Sequence, residues 1–132
     1  MKANVGSENV ERFLNFLRES QTCFSAALSE RQYNENIIQD ILHAIEFDSC
    51  GNIPPVKLKK LLRSARTQRR AAKNIIETAQ PVVEWCEQNK NVIKALERLL
   101  GEMRHIERRI AARTYAPRTK VLEESANESE DR

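Results

Sequence analysis

Residues 57–73 read KLKKLLRSARTQRRAAK, eight bases with no acid among them. On a helix, residues three and four apart share a face, so Lys59, Arg63, Arg66, Arg70 and Lys73 form one continuous ridge, flanked by Lys57, Lys60 and Arg69. Like charges so placed repel one another unless something negative lies over them. Arginine predominates from residue 63 onward. A guanidinium grips phosphate or carboxylate through two parallel hydrogen bonds, where an ammonium supplies only a point charge. The chemistry on offer is anion binding. A plainer arrangement is also open, a solvated face paired with Glu30, Glu35, Asp40 and Glu46 of the acidic N-terminal third.

A second basic set, Arg104, Arg108, Arg109 and Arg113 with His105, lies near the C-terminus and runs out into ARTYAPRT, residues 112–119. Tyr115 offers a ring that can stack on a base and a hydroxyl that can reach a phosphate. Pro117 pushes Ala116 toward an extended backbone. Three roles compete for this strip: a hydrophobic clasp folded back on the protein, part of a ligand pocket completed by a neighbouring subunit, and a grip on a nucleic-acid backbone. In the pocket, Arg109, Arg113, Tyr115 and Arg118 would meet Arg66, Arg69, Arg70 and Lys73 from another helix. Arginines would then neutralise phosphates while Tyr115 stacks on a base.

Catalysis is poorly provided for, and no enzyme is expected. His43 and His105 have no cysteine, serine or carboxylate at a familiar catalytic spacing. Asp40-x-x-His43-x-x-Glu46 and Glu102-x-x-His105 carry the Glu-x-x-His spacing of di-metal bundles. Such spacings arise readily by chance in a glutamate-rich chain, so no metal and no cofactor is expected. Gly6, Gly51 and Gly101 are isolated, which leaves any bound phosphate to side chains rather than to a glycine-rich loop. Cys23, Cys50 and Cys86 lie far apart without a CxxC pair, as idle or buried thiols of a reducing compartment do.

The elements that must position these groups are helical. The 132-residue chain has three glycines and four prolines, and its aromatic content is 5% against 31% charged residues. That balance suits long amphipathic helices and an all-α fold. From Ser7 to Phe47 apolar residues recur at three- and four-residue steps with no helix breaker, although the stripe fades over SERQYNEN, residues 29–36. One continuous helix with Ser7 as N-cap is expected. Gly51, Pro54 and Pro55 then mark a turn. A second helix is expected from about Val56 to Ala79, ended or kinked by Pro81, with a short segment Val82 to Glu87 and a joint at residues 89–91. A third runs from about Val92 to Arg113.

The domain reading is a flexible N-terminus over 1–6, a helical hairpin or bundle over 7–113, an extended strip over 114–120 and a disordered acidic tail over 121–132. The first helix is much longer than its expected partners, which leaves apolar surface uncovered and implies a homo-oligomer, a coiled-coil-like assembly. No apolar run approaches the ~20 residues that span a bilayer. The N-terminus lacks the apolar centre of a signal peptide. A cytoplasmic protein without membrane partners is expected.

The ordered signals QDILHAIE (39–46), RSARTQRRAAKNIIE (63–77), QPVVEWCEQNK (80–90), LLGEMRHIE (99–107) and RTYAPR (113–118) resemble a set found together in small helical accessory proteins of phages and prophages of low-GC bacteria. The resemblance covers most of residues 10–118. It implies the bacterial host cell as the setting and a host system as the target, in host takeover or anti-defence. With the basic segments, it suggests sequestration of a nucleotide immune signal or another anionic small molecule at a subunit interface. The alternatives are nucleic-acid binding along the ridge, and inhibition of a host protein through an exposed helical surface around Phe13, Phe16 and Phe24.

Overall fold

A computed structural model of the chain describes residues 6–47 and 51–130. Cys50, the expected flexibility of residues 1–5 and the end of the tail at 131–132 lie outside the described residues. Four helices follow in order: α1 (Ser7–Glu46), α2 (Pro55–Gln88), α3 (Lys90–Ala112) and α4 (Val121–Glu130). The fold among the described residues is all-α.

Helix α1 is continuous over 40 residues, through the polar interval at 29–36. At 1.5 Å per residue it is about 60 Å long. Its N-cap is Gly6, not Ser7 as the residue type suggested; Ser7 is the first helical residue and its hydroxyl is used elsewhere. Gly51, at φ 63°, supplies the left-handed residue of the turn that reverses the chain, and Pro55 opens α2 at a position where the missing amide is harmless.

Pro81 does not end α2, which continues to Gln88. Pro81 and Glu77, whose carbonyl loses its donor, are both exposed, so water can serve the freed oxygen. The consequence is large. α2 is 34 residues long and accompanies α1 along most of its length, so much of the surface expected to stay open for want of a long partner is covered, while Phe13, Phe16, Leu42 and Ile45 remain between 39% and 52% exposed.

α1 and α2 pack as an antiparallel hairpin, with Phe13 against Trp85 edge to face at one end and Ile45 beside Leu58 at the other. Counting from Val10 in alternating steps of three and four, the α1 seam is Val10, Phe13, Leu17, Ser20, Phe24, Ala27, Arg31, Asn34, Ile38, Ile41 and Ile45. On α2 every seventh residue from Leu58 is buried: Leu58, Ala65, Ala72, Ala79 and Cys86. A column of small side chains lets the two backbones approach closely, and the larger α1 residues fill the space beside it. Leu62, Arg69, Ile76 and Val83 form the adjoining column, also at steps of seven.

α3 begins one residue after α2 and lies across the N-terminal part of α1, touching α2 only slightly. Its order is fixed by three polar pairs: Glu97 with Arg18, Arg104 with Glu11 at 2.8 Å, and Glu107 with Ser7. Ile93, Leu96, Leu100 and Met103 turn half-buried toward α1, and no residue of α3 is fully buried. Where composition suggests disorder, residues 121–130 of the acidic tail form α4, a helix whose first-turn Glu123 and Glu124 suit the positive end of the helix dipole. α4 touches no other helix.

Candidate anion-binding site

The α2 ridge is present as the spacing dictates. Lys59, Arg63, Arg66 and Arg70 are exposed, and Lys73 is half-buried beside the seam. The side chains of Lys59, Arg63, Arg66, Arg69 and Arg70, with Leu62 and Thr67, border an open concavity of about 600 Å³. Its floor is α2 itself, so it is a shallow trough along a helix and not an enclosed chamber.

Pairing with acids of α1 does not occur. Among the described residues, none of the eight bases of α2 between Lys57 and Lys73 makes an ion pair. Glu35 is taken by Arg31 on its own helix, at 4.0 Å, while Glu30, Asp40 and Glu46 pair with nothing on α2. The physical reason is placement. The seam holds α1 against the alanine column, and the ridge lies on the flank of α2, about a quarter to a third of a turn round from that column, where no α1 carboxylate is paired with it.

The second basic set is divided. Arg104 is spent on Glu11, whereas Arg108, Arg109, Arg113 and Arg118 are exposed. Tyr115 is 77% exposed, so it is no clasp. Residues 113–117 run on without regular structure and are exposed throughout.

The eight residues proposed to share a pocket do not converge within one chain. Phe13 beside Trp85, and Phe16 in the same groove as Ala79, set the hairpin register; continued along α2, it brings Arg66 to Lys73 opposite roughly residues 25–32 of α1. Glu107 sits at Ser7, and Arg109 to Arg118 lie beyond it. About twenty residues of helix, or about 30 Å, separate the two groups. The two halves of the supposed metal set are likewise apart, since Glu102 and His105 ride near Glu11 while His43 lies at the other end of α1. Among the described residues no three His, Cys, Asp or Glu side chains gather as metal ligands.

No family model matches the chain, and no curated protein or solved structure is similar to it. Its chemistry has to be read from its own side chains. No helix is long and apolar enough to cross a membrane among the described residues.

Two features escape a reading of the sequence. The first is a cap across helices: the Ser7 amide donates to Glu107 Oε1 at 2.8 Å and the Ser7 hydroxyl to Glu107 Oε2 at 2.7 Å. These two bonds, the amide first, with the nearby Arg104 charge, hold the Glu107 carboxyl below its ordinary value against a smaller opposing effect of desolvation. No local signal could reveal a partner 100 residues away. The second is a polar stretch in the seam. Asn34 is 1% exposed, its Nδ2 donates to the Glu30 carbonyl, and its Oδ1 has no partner. Arg31 Nε is likewise buried without a hydrogen bond, its ion-pair partner Glu35 Oε1 standing 4.0 Å away. This stretch was legible had the steps of three and four been carried through SERQYNEN, where Arg31 and Asn34 fall on seam positions.

Proposed function

We propose that this protein is a non-enzymatic helical binding protein that takes up a phosphate-bearing partner on the α2 ridge, and that the partner is a nucleic-acid backbone. The observation that carries this is the ridge of five cations, Lys59 to Lys73, without an ion pair. Their steps of three and four residues advance about 5 Å per charge along some 21 Å of rigid helix. An open line of charges suits a chain of phosphates better than one mononucleotide, which favours a chamber with a stacking ring. The ridge contains no aromatic residue, so backbone contact and not base stacking is the means of binding. In keeping with the resemblance to phage accessory proteins, the nucleic acid would be one met in a bacterial host cell.

The test is a titration of a short fluorescent DNA duplex at increasing salt. Five phosphate contacts give a slope of log K against log salt of about −4.5. Arg66→Ala with Arg70→Ala should lower the slope by about two contacts' worth and weaken binding to all sequences alike. Absence of duplex binding at low salt would refute the proposal.

A small-nucleotide site is a second reading, favoured by one observation. Val92, Leu99, Ile106 and Ile110 leave an apolar stripe on α3, between 43% and 58% exposed. Self-association through such a stripe would let Arg109, Arg113, Tyr115 and Arg118 of one copy approach the ridge of another. A thermal shift with linear or cyclic nucleotides, abolished by Arg113→Ala in a sedimenting oligomer, would establish it over the first.

A further inference from the structure

The acidic helix α4 stands apart from every other helix, with Val121 and Leu122 about 60% exposed. At ten residues it is shorter than the ~12–15 that a lone helix needs in water, and Glu124 and Glu128, four apart, repel each other on its surface. A helix with those handicaps is marginal alone and would gain from a partner. Residues 121–132 carry five acids against one base, and the α2 ridge is the part of the described chain that carries many cations with no counter-charge. The spacings also agree. Glu124 and Glu128 are separated by one helical step of four, as are Arg66 and Arg70, and Arg69 and Lys73. Two helices lying side by side can therefore match carboxylate to cation twice in register.

Reach limits where this can happen. Lys73 lies opposite roughly residue 25 of α1, some 27 Å along the hairpin from Ser7, and α3 ends five residues past Glu107, which is bonded to Ser7. The eight residues 113–120, irregular and bent at 118–120, can span at most about 28 Å when drawn out, and α4 adds about 15 Å. The second half of α4 can come alongside Arg69, Arg70 and Lys73 but not alongside Lys57 or Lys59.

We infer that α4 docks on the near end of the α2 ridge of its own chain, Arg69 to Lys73, as an internal acidic counterpart that nucleic acid must displace. The docking stands on charge and reach alone; only the displacement rests on the function proposed above. The full chain, without nucleic acid, is treated at low salt with a carbodiimide that joins carboxylates directly to lysine amines, and peptides are identified by mass spectrometry. A Lys73 amide to Glu124 or Glu128 within single chains is expected. It should disappear at 1 M salt and when both glutamates are replaced, Glu124→Gln and Glu128→Gln. No such link at low salt, or links confined to covalent dimers, would overturn the docking. In the duplex titration the same double variant should bind about tenfold tighter at low salt. Unchanged affinity in a protein that does form the link would overturn the displacement, whereas failure of the wild-type chain to bind duplex speaks only to the proposed function.

Discussion

Glu107 shows how one carboxylate joins two ends of a chain. It satisfies the Ser7 amide, one of the donors that the first turn of any helix leaves open, and it receives the Ser7 hydroxyl as well. Its carboxyl is held below the ordinary 4.5, so this contribution is complete above about pH 4.5 and is lost as pH falls through the lowered folded value. Acid should therefore release α3 from α1 before the hairpin opens, seen as faster hydrogen exchange in α3 at low pH. Glu107→Gln should give the same faster exchange at neutral pH, since a neutral amide offers one acceptor where two donors wait. Asn34 works in the opposite sense. It buries an unpaired oxygen in a largely apolar seam, and Asn34→Leu should raise stability by about 1 kcal/mol in urea unfolding. A polar seam residue also fixes pairing register, so the same variant should populate slipped hairpins, visible as doubled amide resonances.

Among the elements, the α1–α2 hairpin carries most of the packing and α3 is an addition to it. Closeness depends on Ala65, Ala72 and Ala79, each under 10% exposed. Ala72→Leu should cost about 1–3 kcal/mol, because a larger side chain in a filled seam forces the backbones apart. Leu99→Ala on the outer stripe of α3 should cost well under 1 kcal/mol in a monomer, and a larger effect that grows with protein concentration would mark that stripe as a contact between copies. Pro81 teaches a rule about breakers. A proline ends a helix only when nothing else repays the lost bond, and here Val82 and Trp85 keep packing on α1 past it, with Cys86 buried beyond them.

For the whole molecule, charge is separated along a rod. The ridge lies on the flank of the hairpin, Arg109 to Arg118 sit past one end, and the acidic α4 hangs from the strip between. A rod of this kind should bind polyanions in a salt-dependent way with little sequence preference. Arg113→Ala with Tyr115→Ala should leave duplex affinity within about twofold, since neither residue approaches the ridge. A tenfold loss would mean that the strip grips the same backbone.

Helices and the ridge were legible because both follow from spacing along one segment: an unbroken apolar period from Ser7 to Phe47, and bases at steps of three and four from Lys59. The polar seam was half legible, needing only that the count be carried through Arg31 and Asn34. The helix over 121–130 is not legible in the tail's composition, because acidic content says that a segment cannot build a core and not that it cannot coil into a helix. Convergence of Arg66 to Lys73 with Arg113, Tyr115 and Arg118 was beyond local pattern altogether. It depends on where α3 turns after Asn89, and that turn is settled by pairs such as Ser7 with Glu107, which join residues from opposite ends of the chain. Periodicity acts between neighbours and so is written in the sequence. The distance between two charged groups is a property of packed helices, and only the tertiary structure could decide it.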